Sequence, residues 1–260
     1  MIHPTAIIDS TANLANDVEV GPYAIIGKHV TIGKGTVVGA HAVIGDWTEI
    51  GENNHIYHLA SVGPASQDLK YRGEECWTRI GNNNTIREFA TIHRGTVTGI
   101  SETTIGNNNL FMAYSHVAHD CIIGNSVVMA NSATLAGHVT IEDDVIIGGL
   151  VAVHQFVSIG RNAMVGGGTL IALDIPPYMI ATSGRRRDTK LRGLNLIGLK
   201  RHGFSEDAIN KLKKSYKTLF MADLKLPDAI SRIRSEITDC PEVDYLLAFI
   251  ERSKRGISRG

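Results

Sequence analysis

Counted from Ile2, every sixth residue is apolar: Ile2, Ile8, Leu14, Val20, Ile26, Ile32, Val38, Ile44, Ile50, Ile56 and Val62. The register resumes at Ile80, Ile86 and Ile92. After a one-residue slip it runs through Ile105, Phe111, Val117, Ile123, Met129, Leu135, Ile141, Ile147, Val153, Ile159, Val165 and Ile171. With 43% of the chain hydrophobic, so long a series does not arise by chance. A period of six fits neither the 3.6-residue helix nor the two-residue alternation of an extended strand. It fits a short strand followed by a tight corner. Glycine, which often follows the apolar residue (Gly21, Gly27, Gly33, Gly45), or asparagine is expected to take the unusual backbone angles at or near that corner. Three units close a triangular coil of eighteen residues, and coils stacked about 4.8 Å apart pair their strands in parallel around one apolar core. The prediction is a β-solenoid.

Two stretches break the register. Between Val62 and Ile80 the period would put Asp68 and Glu74 inside an apolar prism, so residues 63–79 must loop outward; a second excursion covers 93–104. Long loops on a rigid scaffold are where ligand contacts collect. The solenoid is expected to end near Asp174-Ile175-Pro176-Pro177, where two prolines stop strand pairing, with the domain boundary at residue 184. The remainder, 185–260, reads as a small helical domain. One helix starts at Ser205, a good N-cap followed by Glu206 and Asp207, with Ile209, Leu212, Tyr216, Leu219 and Phe220 on one stripe. A second begins at Pro227, and a third follows Pro241 and stops at Gly256.

Lys+Arg and Asp+Glu number 26 each, which excludes a chain basic enough throughout to bind nucleic acid. The balance hides an asymmetry: residues 1–184 hold 8 basic and 16 acidic side chains, residues 185–260 hold 18 and 10. A basic C-terminal quarter suggests a docking face for an anionic partner. No apolar run is long enough to span a membrane, and no signal peptide is read at the start. Three scattered cysteines fit a reducing cytosol and neither a disulfide frame nor a thiolate zinc site.

The repeat also converts sequence position into spatial position. Val117, Leu135 and Val153 are eighteen apart and should stack on one face. Beside that column lie His116, His119 and Asp120, then Gly137 and His138, then His154 and Gln155. The inward slots being filled, these histidines face outward. They are open to three readings: solvated corner groups, a zinc site, or a catalytic cluster.

The six-residue pattern resembles the hexapeptide-repeat acyltransferases, which implies that the coils wind into a left-handed parallel β-helix. Parallel crossovers are otherwise nearly always right-handed. The motifs GPASQDLKYRGE, ATIHRGT, SHVAHDC, ATLAGHV, AVHQF, DIPPY, and GLN followed by GLKRHGF occur in that order across essentially the whole chain. Together they are similar to the UDP-N-acetylglucosamine O-acyltransferase family. The resemblance implies transfer of a (3R)-hydroxyacyl chain from acyl carrier protein to the sugar 3-hydroxyl, the first step of lipid A synthesis. It further implies a cytoplasmic homotrimer with sites between subunits, and neither cofactor nor metal.

By the same resemblance His119 is the general base, Asp120 orients it, and Gly137 offers a backbone N–H to the oxyanion. Asp68 and Lys70 reach the sugar nucleotide from a neighbouring subunit. His116, His138, His154 and Gln155 contact substrate, and Asn195 and Arg201 contact the nucleotide. Gly167 sets acyl length. The pattern departs from the family where RRRDTKLR precedes Asn195, at Ile197, and at His202.

Other readings stay open: an N-acyltransferase on a 3-amino sugar nucleotide, an acetyl-coenzyme A enzyme on the same scaffold, and a non-catalytic or zinc-binding solenoid. The relative that acylates a later glucosamine nitrogen carries an N-terminal domain and is disfavoured because the repeat begins at Ile2.

Overall fold

In the computed structural model, which describes residues 1–184 and 189–258, two- to six-residue strands build three parallel sheets of nine, eight and ten strands. The ten-stranded sheet ends in one antiparallel strand. Each strand pairs with the strand one coil away, as in Ile7↔Ile25 and Ile25↔Val43, so the repeat is eighteen residues. On one face Ile26, Ile44, Val62, Ile92, Val117, Leu135, Val153 and Ile171 form a single inward column, all buried. A second inward column lies two residues earlier and holds smaller side chains, Ala24, Ala42, Ala60, Ala90, Ser115 and Ala133, which fill the narrow vertices of the prism. Another vertex holds the buried ladder Asn54, Asn84 and Asn109. There each side-chain oxygen accepts the backbone N–H of the next coil at 2.7–2.9 Å, which keeps the polar groups paired in an otherwise dry interior.

Asparagine takes the expected corner angles at Asn53, Asn83 and Asn108, and glycine does so at Gly35 and Gly168, but most glycines of the repeat do a different job. Backbone angles with φ near +60° fall three residues after the inward aliphatic, on side chains as large as Tyr23, Trp47, Phe89 and Tyr114. Apart from Gly63 at φ +77°, the glycine directly after the aliphatic has no such angle. It is small because the next coil lies against it. A Cβ on Gly39 would sit 2.5 Å from the His58 nitrogen and 2.8 Å from the Tyr57 carbonyl carbon.

Both outward loops are insertions into an unbroken stack. Ser61 pairs with Val43 eighteen residues before it but with Thr91 thirty after it. Arg79 likewise pairs with Thr104, twenty-five residues on, before the spacing returns to eighteen at Ile122.

The double proline does not end the sheet. Pro177 packs over Gly160 in a turn, and Met179–Ser183 rejoins the stack in parallel with Met164–Val165. Thr189–Leu194 then returns antiparallel to it, inside the segment expected to be helical. Residues 185–188, at the expected domain boundary, and 259–260 lie outside the described residues.

Four helices follow. The first, α1 (Leu196–Arg201), was not foreseen. The next is α2 (Glu206–Phe220), with Ser205 Oγ accepting from the Ala208 N–H and Ile209, Leu212 and Leu219 buried. Pro227 and Pro241 stand in the first turns of α3 (Leu226–Glu236) and α4 (Pro241–Arg252). Helix α4 ends four residues before Gly256, which at φ +77° turns the chain so that Ile257 bridges to Asp174 and Ser258 Oγ donates to the Thr189 carbonyl. The helical segment is thereby folded back onto the last coils.

Gly39→Ala should cost about 1–3 kcal/mol, because two backbones must separate to admit one methyl group. A chemical-denaturation midpoint equal to wild type would refute close coil approach as the reason for glycine there.

Candidate active site

A cavity of about 850 Å³ lies where the two loops meet one corner of the solenoid. The corner contributes His116, His119, His138, Gln155 and Phe156, the first loop Gln67, Asp68 and Lys70, and the second loop Thr98 and Gly99. Asp120, His138 and Phe156, each eighteen residues on from the last, occupy the positive-φ corner position at 59°, 61° and 65°, which aims them outward one above another. That backbone state belongs to the repeat: Tyr23 and Leu59 share it far from the cavity. The His138 and Phe156 rings stack at 4.5 Å, and His119 meets His138 edge-on at 5.0 Å.

His119 Nδ1 lies 2.8 Å from Asp120 Oδ2. The Asp120 carboxylate is wholly buried and also accepts from Thr96 Oγ1 at 2.7 Å, the Thr96 N–H at 3.1 Å and the Ile100 N–H at 2.9 Å. Burial opposes its ionisation, but the hydrogen bonds from His119, Thr96 and Ile100 outweigh burial and hold it below the ordinary carboxylate range. Asp120 therefore does two things: it fixes the imidazole, and it ties down the second loop. Gly99 has to be glycine here, since a Cβ would come 2.3 Å from the Asp120 carboxyl carbon.

With Nδ1 occupied, the Nε2 edge of His119 is left beside Gly137, where a Cβ would be 2.7 Å from Nε2 and 2.6 Å from Cε1. Among the described residues the Gly137 N–H has no acceptor. The equivalent N–H at the same corner nearer the N-terminus, that of Lys28, is capped by Asp46 Oδ1 at 2.7 Å. An imidazole nitrogen and a backbone donor without an acceptor thus lie side by side, groups able to accept a proton and to bind an oxyanion.

Three neighbouring imidazoles, His93, His116 and His138, are shifted toward the neutral form. Burial, reinforced by His93, drives the His116 pKa down to about 4, and its Nδ1 sits 2.7 Å from Thr91 Oγ1. Burial also lowers His93 and His138, the latter despite Asp120 nearby. His93 Nδ1 meets the Ala65 carbonyl at 2.7 Å, and Arg94 Nε donates to Gly63, so the coil below grips the root of the first loop.

His119, Asp120 and His138 do offer ligand atoms within 4.8 Å of one another. Both Asp120 oxygens are already engaged, however, and drawing them to a cation would strand the buried Thr96 and Ile100 donors. The set is satisfied as a hydrogen-bond network.

Several expected residues lie elsewhere. His154 is exposed on the rim, its Nδ1 facing the Gln155 carbonyl at 3.2 Å. Asn195 is buried as the cap of α1, its oxygen accepting from the Gly198 N–H and its nitrogen donating to the Asn162 carbonyl. Arg201 is exposed at the end of α1, and Gly167 lies at another corner with its Cβ direction 3.2 Å from the Gly149 carbonyl. Asp68 and Lys70 do line the cavity, on a loop whose root is held by His93 and Arg94. Phe156 was missed although it stands eighteen residues beyond His138. Gln67, Thr96, Thr98 and Gly99 carried no such signal, lying where the repeat is interrupted.

The family described as UDP N-acetylglucosamine O-acyltransferase, domain 2, matches residues 174–258, and the bacterial transferase hexapeptide family matches 11–46 and 102–137. A relative from Trichlorobacter lovleyi, described as an acyl-(acyl-carrier-protein)–UDP-N-acetylglucosamine O-acyltransferase, is 73% identical over 100% of this chain and 99% of its own. One of the same description from Paraburkholderia phymatum is 50% identical over 99% of each. The solved UDP-N-acetylglucosamine O-acyltransferase of Moraxella catarrhalis superposes with a TM-score of 0.95 at 44% identity over 99% of both chains. That of Campylobacter jejuni gives 0.93 at 38% over 100% of both. The fold is thus the left-handed parallel β-helix with a C-terminal helical region, and the chain belongs to the UDP-N-acetylglucosamine O-acyltransferase family.

Proposed function

We propose that this chain transfers a (3R)-hydroxyacyl group from the thioester of acyl carrier protein to the 3-hydroxyl of UDP-N-acetylglucosamine, opening lipid A synthesis. The observation that carries this is the Asp120-bound His119, which lines a cavity large enough for a sugar and packs against Gly137, whose N–H has no acceptor among the described residues. His119 Nε2 removes the hydroxyl proton as the sugar oxygen attacks the thioester carbon. The tetrahedral oxyanion forms toward Gly137. Its collapse breaks the C–S bond, and the leaving thiolate takes the proton back from His119. Asp120 stabilises the imidazolium in between. His116 and His138, kept neutral by burial, hydrogen-bond the sugar without competing for its proton, and Asp68, Lys70 and Gln155 complete its surroundings.

The acyl chain follows the outward column Thr134, Ala152 and Leu170 toward Gly167. By kinship the working form is a cytoplasmic homotrimer with sites between chains. Among the described residues no helix is long and apolar enough to cross a membrane.

Mass spectrometry of products from a panel of 3-hydroxyacyl carrier proteins with UDP-N-acetylglucosamine or its 3-amino analogue tests the reading. The 3-O-acyl product is expected, and a folded His119→Ala variant should lose about 10²–10⁴ in turnover. Near-normal turnover in that variant excludes His119 as base. Gly167→Met should move the preferred donor to a shorter chain in a chain-length series, and an unchanged optimum would remove Gly167 from the acyl path.

Stability should fall with acid. The unfolded chain binds a proton at His116 near pH 6.5, the folded chain only near pH 4, so stability is lost as pH drops between those values. The loss is about 2 kcal/mol after allowance for solvent screening. Denaturation midpoints for His116→Gln should be flatter with pH than wild type; parallel curves would contradict the buried neutral imidazole.

A further inference from the structure

A second cavity of about 300 Å³ opens on the far side of the His138–Phe156 stack and shares both residues with the first. Its floor is the outward face of two adjacent strands, where Thr140 and Ser158 are register partners and present their hydroxyls side by side. Its wall is the segment after α4, which supplies Arg252, Lys254 and Arg255. Among the described residues neither those two hydroxyls nor the exposed Lys254 ammonium has a side-chain partner. Arg255 spends one N–H, from Nε to the Ala172 carbonyl at 3.0 Å, and keeps the rest of its fork.

The remaining charges are already matched. Arg252 is paired with Glu142. The buried Asp174 carboxylate accepts from the Ser158 N–H at 2.8 Å and Ser253 Oγ at 2.6 Å, and in doing so pins the basic segment over the floor.

Two hydroxyl donors facing an ammonium and a guanidinium form a set with donors in excess and a net positive charge. A phosphate oxygen cluster satisfies that set, whereas a sugar or an acyl chain does not. We propose that Thr140, Ser158, Lys254 and Arg255 form a phosphate-binding subsite of the catalytic cavity. This deepens the acyltransfer reading and rests on it for the identity of the ligand. Both substrates in that reading carry the chemistry, the sugar nucleotide as a diphosphate and the carrier as the phosphodiester of its pantetheine arm. Either one would be anchored one side chain, Phe156, away from His138.

Calorimetric titration of the whole protein with inorganic pyrophosphate tests the subsite apart from the reaction. Wild type should bind, Lys254→Glu should bind at least five-fold more weakly, and Lys254→Arg should stay within about two-fold of wild type. Thr140→Val, nearly isosteric, should weaken binding without charge reversal, whereas Lys34→Glu on a distant coil should not. Equal affinity in wild type and Lys254→Glu, or no binding in wild type, overturns the subsite even if the enzyme transfers acyl groups.

Initial rates then name the source. A five- to ten-fold rise in KM for UDP-N-acetylglucosamine in Lys254→Glu assigns the diphosphate. A rise for the carrier-linked donor that disappears with acyl-pantetheine, which lacks the phosphate, assigns the carrier arm. Pyrophosphate binding that depends on Lys254, in a protein that acylates neither sugar nucleotide, would preserve the subsite and defeat the acyltransfer reading.

Discussion

However many residues a coil takes, eighteen where nothing is inserted, it must return to the same inward position, because its strands hydrogen-bond the coils above and below. A strand that lost register would turn its aliphatic column toward solvent and break two ladders at once. Each fully buried aliphatic contributes on the order of 1.5–3 kcal/mol, and the contributions reinforce one another along a continuous column. The constraint acts on the interior only. Corners can lengthen without disturbing it, which is why twelve extra residues are accommodated between Ser61 and Thr91 while both stay paired.

Function is placed where that tolerance lies. Both insertions emerge next to the corner carrying Asp120, His138 and Phe156, and both are tied to it: the first through His93 and Arg94, the second through Asp120. Asp120 is the node of the site. One carboxylate orients the His119 imidazole and also collects the donors of Thr96 and Ile100. The loop that helps enclose the cavity and the group proposed as base therefore share a single anchor. Burial that would be costly for an isolated carboxylate is offset by its four donors.

The same desolvation separates the roles of the imidazoles. His116 and His138 are pushed toward neutrality by a low-dielectric setting, while His119 has a carboxylate in hydrogen-bond contact. The neighbouring basic pocket differs again, being open and lined by charges and hydroxyls. One corner of a regular scaffold thus offers three adjoining environments: a hydrogen-bond network, a neutral polar wall and a cationic rim.

The spacing of the aliphatics along the chain was enough to fix the solenoid, the stacking of Val117, Leu135 and Val153 and hence the meeting of His116, His119 and His138. Cap and proline chemistry marked the starts of α2, α3 and α4. All of these depend on periods or on neighbours a few residues apart, which a linear reading contains. It did not contain the work of Gly39 or Gly137, each set by an adjoining coil, or the commitment of Asn195 to a cap. Nor did it reveal the tether from Thr96 and Ile100 to Asp120, the return of Met179–Ser183 to the sheet beyond two prolines, or the approach of Lys254 to Thr140 and Ser158. Those follow from close approach between segments with no common period. Tertiary packing alone decided them, because a loop or tail finds its partners through shape and hydrogen-bond satisfaction rather than by position in a repeat.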